Sequence, residues 1–260
     1  MTSPTRITVE RQDHLLLIGL NRPDKRNAAD LAMLAELALA YGELDRDSSL
    51  RVGVVFAHGD HFSAGLDLQD VGPAMARTGG LPIPEGGLDP WGITTAQVSK
   101  PVVMATQGIC YTLGVELALT SDIVVAAANS QFAQLEVARG ILPFGGATTR
   151  MPRSAGWGRA MRVLLTGETF GASEALDMGI VTEVVDSNPL DRALEIATTI
   201  SEQAPLAVQA TLASARAGIL DMAAEHGSLP ARLGALMTTK DVQRGLQAFM
   251  TKQPAVFEGD

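Results

Sequence analysis

The chain has 260 residues, 46% of them hydrophobic and 19% charged, with a formal net charge of -9 and a sequence pI of about 4.9. That is enough apolar material for one large domain, and too much for a disordered chain. The acidic balance argues against a nucleic-acid binder, which usually carries a basic face and a high pI.

RITVE, a turn at Gln12-Asp13 and HLLLIGL read as a hairpin. NRPDKRNA is a loop punctuated by Pro23 and Asn27. Residues 28–44 carry helical spacing and strong helix formers. VGVVFA (52–57) reads as a buried strand ending in the turn HGDHFSAG, and 66–76 as a short helix. RTGGLPIPEGGLDPWG (77–92) is rich in Gly and Pro and has no period, so it reads as a mobile surface loop and a candidate lid. PVVMAT (101–106) is a strand, QGICYTLG a turn and VELALTS a helix. DIVVAAA (122–128) and SQFAQLE follow as strands, and TEVVD (182–186) as the last one. From about Leu190 the pattern is helical. The expectation is an α/β core over residues 1–189 and a helical region over 190–260.

The lone cysteine, Cys110, excludes an internal disulfide framework and reads as a small buried side chain. Four histidines without ligand-like spacing argue against structural zinc. No apolar run approaches the roughly 18 residues of a membrane span. Glu10 and Asp13 precede the first short apolar run, which does not read as a signal peptide. A cytoplasmic protein that engages neither membrane nor nucleic acid is expected.

HFSAGLDL follows a buried strand and opens a helix. Gly65 permits a sharp turn, and the N–H groups around it suit an anion or oxyanion. An ordinary strand-to-helix turn fits the same residues. YTLGVEL repeats the arrangement, with Glu116 in the first helical turn. A glutamate there also complements the positive helix end, and Glu136 admits the same two readings. Both carboxylates sit in apolar stretches, where desolvation needs compensation.

Together these pieces resemble the crotonase superfamily, the enoyl-CoA hydratase/isomerase proteins, over nearly the whole chain. NRPDKRNA is similar to the N-terminal coenzyme A loop, FSAGLDL to the first oxyanion-hole turn, and QGICYTLGVELALTSDIVVA to the second turn and its helix. SQFAQLEVARGILPFGGATTRMPRSAG resembles the segment carrying a second catalytic acid. GETFGASEALDMGIVTEVV resembles a late family signature, and DVQRGLQAFMTKQPAVF the C-terminal helix. The resemblance implies a spiral of ββα units with a C-terminal helical trimerisation region, as a homotrimer or a dimer of trimers.

It also implies an acyl-CoA thioester substrate, with coenzyme A as part of the substrate and no other cofactor or metal. The oxyanion donors fall on the backbone N–H groups of Ala64 and Leu113. Glu116 and Glu136 then hold a water over the C2–C3 double bond of a trans-2-enoyl-CoA. Their separation, 136 − 116 = 20 residues, matches the hydratase pattern, whereas isomerases of the superfamily generally manage with one acid. Substrate contacts carry over to Lys25, Arg26 and Ala28 in the N-terminal loop. They also carry over to Ala64, Gly65, Leu66, Asp67 and Leu68 around the first turn, to Gly114 at the second, and to Phe249 and Lys252 near the nucleotide phosphates.

One departure stands out: Tyr111-Thr112-Leu113-Gly114 occupies the place where hydratases usually show a run of glycines. It leaves open isomerisation, thioester hydrolysis, decarboxylation or a specialised dehydration on the same scaffold. A non-catalytic acyl-CoA-binding protein is the alternative of a different class. His58 and His61 flank a turn near the proposed site, and Trp91 either covers the acyl chain or anchors the surface.

Overall fold

The alternation of side chains between the two faces of the sheet decides how it is sandwiched. In the computed structural model, which describes residues 5–78 and 80–260, β1 (Ile7–Gln12) and β2 (Leu15–Leu20) form an antiparallel hairpin. β3 (Val52–Ala57), β4 (Val102–Thr106), β6 (Ile123–Ala127) and β9 (Glu183–Val185) continue the sheet in parallel, in the order β1-β2-β3-β4-β6-β9. Side chains alternate between its faces. Leu16, Ile18, Val55, Met104 and Val124 enter one core, with α1 (Leu31–Arg46). Leu15, Leu17, Val54, Val103 and Val125 enter the other, closed by Ala193 and Ala197 of α7 (Pro189–Ser201). Burial on both faces explains the continuous apolar runs of these strands.

A second sheet of β5 (Ile109–Tyr111), β7 (Gln131–Ala133) and β8 (Phe170–Gly171) stands beside the first. β4 gives its successor β5 to this sheet and β6 gives β7, with α3 (Leu113–Ala118) following the first pair. This is the expected ββα spiral. The stretch QGICYTLG, expected as a turn, contains β5. Three residues are too few to show a period, and their pairing is set by the distant Gln131–Ala133.

The helix expected over 28–44 runs from Leu31 to Arg46, because Ala29 bridges Leu66 and the Asp30 side chain accepts the N–H of Met33 at 2.9 Å. The expected short helix is α2 (Leu68–Thr78).

The stretch read as a mobile surface loop, 77–92, is corrected over most of its length, though residue 79 lies outside the described residues. Leu88 N–H donates to Ala38 O at 2.9 Å, Arg46 donates to Gly86 O, and Trp91 is buried. Gly42 makes this docking possible, since a Cβ there would lie 2.0 Å from Gly86 O.

α8 (Pro205–Leu220), α9 (Met222–Met237) and α10 (Lys240–Thr251) complete the chain. Arg216 ties α8 to Val98 O and Asp122, and Arg153 ties it through Ile219 O. α7 begins at Pro189 and closes a face of the sheet, so the helical region contributes to the core. Among the described residues no helix is long and apolar enough to cross a membrane.

Candidate active site

The first turn is built by buried polar bonds. Asn27, fully buried, donates from its amide to the carbonyls of His58 and His61 at 2.9 and 2.8 Å. Ser63 Oγ donates to Asn27 O and accepts from Gly65 N–H. Gly65 has φ +97°, and a Cβ on it would fall 2.0 Å from Thr112 Oγ1. Conformation and close approach both require glycine there.

The N–H inventory of this turn corrects one expectation. Ser63 N–H donates to Ile109 O, Ala64 N–H to Arg26 O at 2.9 Å and Asp67 N–H to Ala29 O at 2.9 Å. Ala64, expected as an oxyanion donor, is therefore engaged. The Leu66 N–H is the one in Ser63–Asp67 without an acceptor among the described residues, and Leu66 lines the cleft. Sequence spacing alone does not show which N–H of a turn its neighbours consume.

The second turn is set by Thr112, whose φ is +50°. Its N–H donates to Ala133 O at 2.8 Å, and its carbonyl accepts from Glu116 N–H at 3.0 Å. The N–H groups of Leu113, Gly114 and Val115, in the first turn of α3, have no acceptor among the described residues. Leu113 lines the same cleft as Leu66. The cleft is further lined by Ala64, Leu68, Thr112, Glu116, Glu136, Arg139, Ile141 and Phe144.

The structure brings the two carboxyls together in this cleft. Glu116 is 1% exposed, and its Oε1 accepts the Ala147 N–H at 3.1 Å. Burial pushes its pKa from the usual 4.5 up to about 7; Glu136 adds to the rise, while the Ala147 and Gly145 backbone and Arg150 oppose it. Gly145 is close-packed on this carboxyl, since a Cβ there would lie 2.5 Å from Oε2.

Glu136 opens a 3-10 turn, Glu136–Arg139, and is also buried, which raises its pKa. In the orientation that pairs donors with acceptors, the Gln134 amide donates to both Glu136 oxygens at 3.1 Å and to Thr112 O at 3.2 Å. One side chain thus links the second carboxyl to the oxyanion turn.

A further brace was not visible from the sequence. Trp91 Nε1 donates to Leu113 O at 3.1 Å, and Asp89 holds the Trp91 N–H at 2.9 Å. Arg150 donates to Trp91 O at 2.7 Å and to Gly145 O at 2.9 Å. Trp91 therefore lies buried against the second turn; it is not a surface anchor.

Other expected residues fall elsewhere. Lys25 and Arg26 are exposed, and Ala28 O accepts from Arg22. The Asp67 carboxylate pairs with Arg22 at 2.9 Å, which braces the loop and holds its pKa low. Leu68 is 41% exposed at the cleft. Gly114 packs on Cys110 and Phe62. Phe249, 84% exposed, and Lys252 lie at the end of α10 and do not line the cleft within this chain. His58 bonds Thr8 and His61 accepts the Ile109 N–H, and neither lines the cleft. The Cys110 thiol is buried and pushed up to about 12.

A family model described as enoyl-CoA hydratase/isomerase matches residues 10–260. The chain is 34% identical to the 2,3-dehydroadipyl-CoA hydratase of Escherichia coli (strain K12), over 97% of this chain and 98% of that protein. Its structure resembles that of a probable enoyl-CoA hydratase/isomerase from Mycobacterium abscessus, with a TM-score of 0.94 and 49% identity, covering 98% of this chain and 99% of that one. It also resembles the enoyl-CoA hydratase of Mycobacterium tuberculosis H37Rv, with a TM-score of 0.88 and 32% identity, over 99% and 100% of the two chains. With this match in sequence and in fold, the chain belongs to the enoyl-CoA hydratase/isomerase family of the crotonase superfamily.

Proposed function

We propose that this protein is an enoyl-CoA hydratase that adds water across the C2–C3 double bond of a trans-2-enoyl-CoA. The observation that carries the reading is the pair of buried carboxyls, Glu116 and Glu136, in one cleft with unlike partners. Hydration needs one carboxylate to take a proton from water and one carboxyl to give a proton to carbon. Burial and like charge keep a proton on such a pair near neutral pH.

The thioester oxygen sits between the N–H groups of Leu66 and Leu113. Water oxygen bonds to C3, the double-bond electrons move into the thioester as an enolate, and a carboxyl proton goes to C2. The second carboxylate takes the water's proton, so the pair ends with the protons it began with. Removing one oxyanion donor of this kind typically costs on the order of 10²–10³ in rate.

The bulk of Leu113 favours no competing reaction by itself, because its N–H serves whatever the side chain is. Exposed apolar residues on α9 and α10, among them Leu233, Met237, Phe249 and Met250, support self-association through the helical region as a trimer or dimer of trimers. Phe249 and Lys252 would reach a nucleotide only through such packing. A cytoplasmic location accompanies this reading.

The test is product mass after incubation with trans-2-butenoyl-CoA. A gain of one water with loss of enone absorbance supports hydration. Double-bond migration, thioester cleavage, or binding without conversion overturns it.

A further inference from the structure

Among the described residues lining the cleft, Arg139 is the one cation. Its position follows from the local helix. A 3-10 turn places residues i and i+3 over one another, so Glu136 and Arg139 both line the cleft while Val137 and Ala138 do not. Arg139 Nη1 donates to Leu135 O at 3.1 Å. Among the described residues no carboxylate, Glu136 included, comes within ion-pair distance of its guanidinium. A guanidinium presents a planar fork that suits a carboxylate bidentately.

Arg139 lies in the same 3-10 turn as Glu136 and its charge acts on that carboxyl, so it sits at the part of the cleft where the reacting carbons would lie. Ile141 and Phe144 line the same cleft and offer apolar cover to methylenes, and Arg139 offers a charge beside them.

We propose that the preferred substrate is an enoyl thioester whose acyl chain ends in a carboxylate, with Arg139 as its counter-ion. The proposal rests on the hydratase reading above and specifies its substrate class.

The experiment compares two six-carbon trans-2-enoyl-CoA substrates, one with a terminal carboxylate and one with a terminal methyl, in wild type, Arg139→Gln and Arg139→Lys. Calorimetric binding of the corresponding saturated thioesters runs alongside. Wild type favours the carboxylated substrate in kcat/KM. Arg139→Gln lowers that value by about 10- to 100-fold, Arg139→Lys retains part of it, and the methyl-ended substrate changes by less than about threefold. Equal loss on both substrates, which is what Arg139 acting only on Glu136 would give, overturns the proposal. So does a wild type without preference. Selective binding of the carboxylated thioester, lost in Arg139→Gln but without turnover of either enoyl substrate, would uphold Arg139 and remove the hydratase reading instead.

Discussion

The indole Nε1 of Trp91 donates to the carbonyl of Leu113 at 3.1 Å, so a loop side chain holds the residue whose N–H is proposed to face the thioester. Trp91→Phe keeps most of the packing and deletes this bond. It is expected to lower kcat by about tenfold, since small displacements of a catalytic donor are costly. The affinity for coenzyme A, whose expected contacts lie elsewhere, stays near that of wild type. Stopped-flow hydration with a parallel binding titration checks this. Equal kcat in both proteins would make the bond merely structural.

Arg150 joins Trp91 O to Gly145 O and places a positive charge near Glu116. Removing that charge in Arg150→Met raises the Glu116 pKa further. The carboxyl pair must keep one proton, so the alkaline fall of the rate, expected near or above pH 7 in wild type, moves to higher pH. The apparent value belongs to the pair rather than to either residue. Arg150→Lys preserves the charge and moves the limb less. A pH profile of kcat for the three proteins reads this directly.

Gly145→Ala would put a Cβ 2.5 Å from Glu116 Oε2. Either the carboxyl swings or the 145–147 backbone withdraws its N–H from it. Hydration is expected to fall by about 10²-fold, because the reacting geometry tolerates only small displacements. Overpacking should also lower stability by roughly 1–3 kcal/mol. Steady-state rates and thermal melts separate the two effects.

Glu116 also predicts a trade of stability against activity. Its folded pKa of about 7 lies above the unfolded value of 4.5, so the folded state holds the extra proton between those pH values. Stability from this group is fully present below about pH 4.5 and declines as pH rises toward about 7. Glu116→Gln removes the burden of burying a charge while keeping an acceptor for the Ala147 N–H. It should melt higher than wild type at pH 8, by at most about 3 kcal/mol of stability, with little difference at pH 5. A melting difference independent of pH would contradict the raised pKa.

The parts legible in the sequence are those carried by long periodic runs or by side chains. VGVVFA is the strand Val52–Ala57 residue for residue, and Glu116 and Glu136 do meet in one cleft. Short pairings such as Ile109–Tyr111 with Gln131–Ala133 leave no period to detect. The loop around Trp91 shows only Gly and Pro in sequence. Its order comes from Gly42, Arg46 and Arg150, all distant in the chain. The choice between the Ala64 and Leu66 N–H groups depended on the Arg26 carbonyl, which the fold alone brings into place.

The central claim is that two buried carboxyls share the work of adding water. Hydration of trans-2-enoyl-CoA thioesters, followed by loss of enone absorbance in wild type, Glu116→Gln and Glu136→Gln, tests it most directly. The expected result is robust turnover in wild type and a loss of at least about 10²-fold in each variant, in line with losing a positioned acid or base, with acyl-CoA binding retained. A rate indifferent to either substitution, in a protein that still binds the thioester, would contradict it.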